Sequence, residues 1–384
     1  MSFLSRASGF FWGGPLLAAF LIVGGYYSVR TGFFQLFRFP LWWRTSAGSL
    51  LRRRRGRGSG VTQLQALSTA LAATIGTGSI AGVAAAIFYG GPGAVFWMWV
   101  SALLGMMTGC AEKTLAVRHR ERGPDGQWRG GPMSYMEKGL HLKGLARLYA
   151  CLCICETLCG GNLAQANSIA TSLHALTGAN RLTVGVVLAA VTAIVLVGGI
   201  RRVGKLSELL VPLMALLFLG GGLAVIVTHA QALPAALTDI VRYAFAPRAA
   251  VGGYAMGSAL RYGVARGVFT NEAGLGMSAI AHACADVDEP AEQGMWGIFE
   301  VFFATLVICT VTALVILTSG VYDPAAALAM VESGTVPESM LGAPLTAAGF
   351  AATLGRAGEW VVSVSLILFA FTSLLGAGYY GRRG

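Results

Sequence analysis

Residues 73–82 read ATIGTGSIAG and lie inside an apolar run from 64 to 89. A membrane-crossing helix needs about 20 largely apolar residues, and this run is long enough. Yet Gly76, Gly78 and Gly82, with Thr74, Thr77 and Ser79, interrupt its middle. In hydrocarbon, non-helical backbone survives only where protein buries it or where it lines a cavity. Unwinding at Gly76 and Gly78 would free carbonyls at the end of one half-helix, which suit a cation. It would also free N–H groups at the start of the next, which suit a carboxylate. Close packing through small residues accounts for the same composition, and on this run alone both readings stand. A dinucleotide-binding reading fails, because Gly82 falls one residue late for the fingerprint and no strand precedes it.

The rest of the chain carries the same membrane signature. Of 384 residues, 55% are hydrophobic and 12% charged, with a mean hydropathy of +0.66. A soluble domain carries roughly 25% charged residues. Nine apolar runs are long enough to span: 12–29, 64–89, 94–117, 144–173, 182–199, 206–228, 251–283, 295–319 and 360–380. The runs 131–140 and 234–245 mix charge with apolar residues and read as interfacial helices. The first span has no small-residue cleavage site and is read as a retained helix. No strand pattern, low-complexity run or linker marks a second domain. The expected fold class is all-α, integral to the membrane.

The net charge of +11 does not point to nucleic acid, because its placement is that of a membrane topology. Arg38, Arg44, Arg52–Arg55 and Arg57 fill the first loop; Arg118, Arg120, Arg122 and Arg129 follow the third span; Arg201, Arg202 and Lys205 follow the fifth. Basic loops stay in the cytoplasm, so the N-terminus is expected outside and the C-terminus, with Arg382 and Arg383, inside. The acidic loop 285–294 also falls inside, which the rule tolerates. Cys151, Cys153, Cys155 and Cys159 share one span without a Cys-x-x-Cys pair or a nearby His pattern, and read as small packing residues.

A second apolar run is interrupted. Residues 263–279 read GVARGVFTNEAGLGMSA, with Gly267, Gly274 and Gly276 as punctuation and Asn271 and Glu272 at membrane depth. An intramembrane ionisable residue is a functional-site hypothesis by default. With the first span set aside, the two interrupted helices open successive five-helix units, and an odd number of helices per unit makes the units inverted. Paired interruptions of this kind point to the binding site of a secondary transporter.

At these residues the chain resembles a known family. ALAATIGTGSIAGVAAAI, GGPGAVFWMWVSALLGM, GGPMSYMEKGL, GGNLAQANSIA and GVARGVFTNEAGLGMSAIAHA are strongly similar to the alanine or glycine:cation symporters, sodium-coupled carriers with the leucine-transporter fold. The similarity runs from about residue 12 to residue 380. It implies a leucine-transporter-like inverted-repeat bundle of about nine spans in one domain, 1–384: an extra N-terminal helix (12–29), a first repeat (64–228) and a C-terminally incomplete second repeat (251–384). It implies import of alanine or glycine across the inner membrane, with Na+ as coupling ion and no organic cofactor. The partners are then the amino acid and the bilayer.

The resemblance also implies sites. Thr77, Gly78 and the neighbouring backbone should receive the substrate carboxylate. Phe269, Thr270 and Gly274 should line the pocket from the second break, and Gln165 and Asn167 should face the same cavity. A sodium site should pair the carbonyls near Ala72 and Ile75 with Thr372 and Ser373. Hydroxyls and freed carbonyls give a hard cation oxygen ligands without net charge; ordinary back-bonding of Thr372 and Ser373 to the preceding turn is the plainer reading. This chain has GTGS where the family has GTGN, so Ser79 supplies one hydroxyl in place of an amide. That bears on recognition of the amino group or of a second ion.

The remaining charges are expected to be less central. Glu156 reads as a proton carrier or, preferably, as one half of an ion pair. Glu112 and Lys113, near a helix end, read as snorkelling. Glu272 reads as a cap for freed N–H groups, and His119, His141, His174, His229 and His282 as scattered. No catalytic triad or metal cluster is visible, so an enzyme is not expected, and two breaks in one subunit argue against a channel. No Arg, Lys or Asp is expected in the pocket, so the substrate should be a small zwitterion. Alternatives are a proton-coupled carrier of another small zwitterion and a shortened, transport-deficient member of the family, because the chain stops soon after Tyr380.

Overall fold

The computed structural model describes residues 13–49, 61–124, 126–245 and 256–383. The expected span start at Trp12, the arginines Arg52–Arg55 and Arg57, and residues 251–255 of the seventh run lie outside the described residues. The rest is almost wholly helical.

The first described helix is α1, Gly14–Arg30. The interrupted run is two helices, α2 (Gln63–Thr74) and α3 (Ala81–Gly90), bent by 61° across the break. A capping box fixes the start of α2: Thr62 accepts from the Gln65 N–H, and Gln65 returns the bond to Thr62 N–H. Next come α4 (Gly93–Arg118), the short α5 (Pro132–Lys138) and α6 (Lys143–Cys155). A π-turn over Glu156–Gly161 joins α6 to α7 (Asn162–Thr177). Then follow α8 (Arg181–Val197), α9 (Gly199–Thr228) and α10 (Leu233–Phe245).

The second interrupted run gives α11 (Met256–Asn271) and the single turn α12 (Ala279–His282). Between them Glu272, Gly274 and Gly276 take positive φ values of 52°, 98° and 75°. Then come α13 (Pro290–Val301), a π-helical stretch Phe302–Cys309 and α14 (Thr310–Thr318). The series closes with α15 (Pro324–Ser333), α16 (Ala343–Leu354) and α17 (Arg356–Arg383). Helices α15 and α16 are additions to the sequence reading, being too short to stand out as spans. A two-residue hairpin pairing Glu121–Arg122 with Trp128–Arg129 is also outside that reading.

Among the described residues five helices are long and apolar enough to cross a membrane, six with the bent α2–α3 pair counted as one span. That is fewer than the nine runs of the sequence reading. Helices α1 and α8 have 17 residues each, and α11 has 16.

The core forms around α4, which packs mainly against α11 and α13. Glycine makes the close approach possible. A Cβ on Gly263 would strike the Ala94 carbonyl, and one on Gly267 the Ser101 hydroxyl. By contrast α8 has no buried residue and the α6–α7 span is only 18% buried, against 61% for α17. Cys151, Cys155 and Cys159 are exposed on this outer span and only Cys153 of the four is buried, so the expected packing role fits one of them. Exposed apolar faces on outer helices are what lipid covers.

The segments expected in the cytoplasm share one end of the molecule. Val61 forms a backbone bridge with Ala285. Arg120, just beyond α4, donates to the carbonyls of Ala283, Ala285 and Val287 at 3.2, 2.5 and 2.7 Å. Burial lowers its pKa, and Asp286 and Asp288 oppose the shift. Arg383 reaches Gln127, and Arg382 reaches the Leu196 carbonyl. Basic and acidic loops thus meet at one face, and backbone oxygens absorb much of the charge.

Candidate functional site

The break after α2 lies among α7, α11 and α17. Helix hydrogen bonding runs to Ile75, whose N–H reaches Leu71 O; Thr77–Ser79 then form one tighter turn before α3. Buried backbone groups need partners, and distant side chains supply them. The Ser373 hydroxyl lies 3.0 Å from Ala72 O and 3.1 Å from Ala73 O. Gln165 Oε1 accepts from Thr77 N–H at 3.3 Å. Thr312 donates to Ser79 O at 2.9 Å and Thr346, on α16, to Ile80 O at 3.2 Å.

Glycine lets side chains approach closely at the centre of this arrangement. A Cβ on Gly76 would lie 2.6 Å from Ser373 Oγ and 2.9 Å from Gln165 Nε2. One on Gly78 would lie 3.3 Å from the Phe269 ring and 3.4 Å from Thr270 Oγ1. Gly376 lets α17 approach the backbone of Ala73, which brings Ser373 to the end of α2.

The structure therefore gathers Ala72, Thr77, Gly78, Gln165, Phe269, Thr270 and Ser373 around one break. Ser79 is fully buried, and neither its hydroxyl nor that of Thr270 finds an oxygen or nitrogen partner; the Cys309 thiol is beside both. Phe269 keeps 45% of its surface exposed.

Three of the residues named from sequence sit apart from this group, and Ile75 lies in the break itself. Thr372 turns back on its own helix, donating to Leu368 O and Phe369 O at 3.0 Å each, with Met214 Sδ at 3.4 Å. Ile75 is the buried helix cap. Asn167 is exposed, because residues two apart on a helix stand about 200° apart and Gln165 takes the inward face. Gly274 lies across the second break, its N–H on Glu112 Oε1 at 3.0 Å and its Cα against Phe20 of α1.

Several charge readings are corrected. Arg266 stands beside Phe269, its guanidinium 5.8 Å from that ring, because residues three apart share a helix face. Glu112 and Lys113 do not snorkel: Lys113 is fully buried, 3.4 Å from Glu300 and 3.7 Å from Glu112. The close contact of Gly109 with Gly297 lets α4 and α13 approach there. His282 is not isolated, since its Nε2 meets Glu300 at 3.1 Å. The second break is capped by Asn271, which accepts from Ala273 N–H, and by Glu112, rather than by Glu272. Glu156 meets no basic side chain among the described residues. The signal that could have found the network is a lysine beside a glutamate six residues inside a span.

Two clefts of about 280 and 290 Å³ lie near Arg129, Tyr379, Arg382 and Arg383, the second also bordered by Ile280 of α12.

Comparison with known proteins gives a consistent result. The family described as the sodium:alanine symporter family matches residues 1–384. The chain is 38% identical to the sodium/alanine symporter AgcS of Methanococcus maripaludis, over all of this chain and 82% of that protein. It is 36% identical to a Bacillus subtilis protein provisionally named sodium/glutamine symporter GlnT, over 98% of this chain and 75% of that one. It is 35% identical to another from the same organism, provisionally named a sodium/proton-dependent alanine carrier, over 98% of this chain and 76% of that one. With one bent apolar span whose break gathers polar groups from distant helices, and a family match along its full length, this chain belongs to the sodium:alanine symporter family.

Proposed function

We propose that the chain carries a small neutral amino acid, alanine or glycine, into the cytoplasm together with sodium. It does so in an inverted-repeat bundle of the leucine-transporter kind, with its N-terminus outside and its C-terminus inside. The observation that carries this reading is the break at Gly76: freed backbone, an amide from α7 and a hydroxyl from α17 converge on one residue. Gln165 Oε1 occupies Thr77 N–H, an amide oxygen standing where a substrate carboxylate oxygen would bind. Gly78 and Ser79 would complete the carboxylate and amino-group contacts, with Phe269 and Thr270 as the side-chain wall.

The donor set at the end of α2 fits a hard cation in part. Ala72 O and Ser373 Oγ already converge, with Ala73 O beside them, and none carries a charge. Ile75 O and Thr372 Oγ1 would have to turn toward them. Bound there, sodium would hold α17 against α2 and so stabilise the shape of the break. Gly274 acts on the pocket indirectly, through the geometry of the second break.

Arg266 bears on selectivity. It stands behind Phe269, where a cationic substrate side chain would be repelled. The bulk of Phe269 limits chain length, which is relevant because one relative's name specifies glutamine. The test is competition against labelled alanine bound to the purified protein in sodium. Glycine should compete strongly, and glutamine, glutamate and lysine weakly. Displacement by lysine or glutamate as effective as that by unlabelled alanine would contradict the reading.

A further inference from the structure

Four ionisable side chains meet where α4, α12 and α13 pack around the break after α11, with Glu272 of the break nearby. Lys113 Nζ stands between Glu300 and Glu112. Glu300 Oε2 also meets His282 Nε2, and His282 Nδ1 meets the Gln293 amide at 2.5 Å. Glu272, in the break itself, is a third carboxylate that interacts with Lys113, Glu112 and Glu300. Lys113, Glu300 and His282 are fully buried, and the Glu112 side chain keeps 11% exposure. Among the described residues the other titratable groups facing the cluster are Cys110 toward Lys113, Tyr135 and Tyr149 toward Glu112, Tyr380 toward Glu272 and Glu300, and Glu156 and Cys153 toward Glu272. None of them is a cation.

The charges do not balance. Two carboxylates face one ammonium, and Glu272 lies close by as a third acidic group, so negative charge is in surplus when all are ionised and His282 is neutral. Uncompensated charge in a low-dielectric interior is strongly unfavourable. Hydrogen bonding is incomplete as well: Lys113 Nζ, Glu112 Oε2, Glu300 Oε1, Glu272 Oε2, Ser278 Oγ and Gln293 Oε1 are all buried without a hydrogen-bond partner. Ser278 is itself fully buried. A metal ion is the poorer fit, since no three acidic, His or Cys groups converge with ligand geometry among the described residues. A proton needs only one oxygen or nitrogen.

We propose that this cluster is a proton-binding site, separate from the break at Gly76, whose occupancy sets the shape of the second break. A proton from water adds to a carboxylate or to His282, and the groups titrate as a unit rather than singly. Gln293 accommodates either state of His282: its amide donates to neutral Nδ1, and by turning over it offers the now unpartnered Oε1 to Nδ1–H. Glu112 carries the effect outward. Ionised, it is a strong acceptor for Gly274 N–H; protonated, it is a weaker one, and the turn at Gly274 loosens. Helix α11, which presents Phe269 and Thr270 to Gly78, ends at that turn.

The functional consequence rests on the carrier reading above, whereas proton binding itself does not, so the test has two arms. In the first, the full chain in lipid nanodiscs is followed by infrared difference spectroscopy from about pH 5.5 to about pH 8.5. A protonated-carboxyl or imidazolium band should titrate in the wild type and shrink or shift in both Glu112→Gln and Glu300→Gln. Absence of a titrating band in the wild type, or the same band in wild type and both variants, overturns the proton site whatever the carrier does. In the second, alanine affinity is measured over the same range. It should change about fivefold or more in the wild type and much less in Glu112→Gln. A wild-type affinity independent of pH overturns the link to the break. If the band behaves as described and alanine does not bind at any pH, the proton site stands and the carrier reading fails.

Discussion

Thr372 and Ser373 are neighbours in sequence and face different partners. Ser373 reaches two carbonyls of α2, whereas Thr372 bonds the preceding turn of its own helix. Ser373→Ala should therefore weaken sodium-dependent alanine binding about tenfold or more, the equivalent of about 1.4 kcal/mol, and Thr372→Ala should do clearly less. Equal losses measured by equilibrium binding would mean that Thr372 swings to the carbonyls when sodium arrives. A side chain at Gly76 would displace both Ser373 and Gln165, so Gly76→Ala should weaken binding sharply. Gly82→Ala, whose Cβ meets only Arg266 Cδ at 3.8 Å, should bind normally.

At the scale of elements, the first break was legible because glycines and hydroxyls in mid-span conflict with an unbroken helix. Its partners were less so. Gln165 and Asn167 look equivalent in sequence, and only the helix phase separates them, so Gln165→Ala should lower alanine affinity while Asn167→Ala should leave it near the wild-type value. Helix α16 went unread because its 12 residues are too few to span, yet Thr346 on it supplies the bond to Ile80 O. The Lys113 network was hidden for a different reason. Glu112 and Lys113 sit near a helix end, where local reasoning favours water, and their burial depends on Glu300 and His282 far along the chain. The contact of α11 with α4 is also testable. Gly267→Val would overpack against Ser101 and Met98, with a cost of about 1–3 kcal/mol. A matching drop in thermal stability should follow, with none for Gly220→Val, whose position is open.

Across the whole molecule, the basic segments collect at one end: Arg120 beside the 283–287 carbonyls, Arg382 at Leu196, and Arg383 at Gln127. If that end is cytoplasmic, cysteines placed at Gln127 and Gly199 should both react with an impermeant thiol reagent only from inside. Labelling of one from each side would break the topology. The account centres on the break at Gly76, where an amino acid and sodium would bind within reach of the same short backbone segment. Ligands so placed must strengthen each other's binding reciprocally. The most direct measurement is equilibrium binding of labelled alanine to the purified chain, in sodium and with sodium replaced by choline. The account predicts that sodium tightens alanine binding about tenfold or more in the wild type and that Gly76→Ala removes the effect. The same alanine affinity with and without sodium would contradict it.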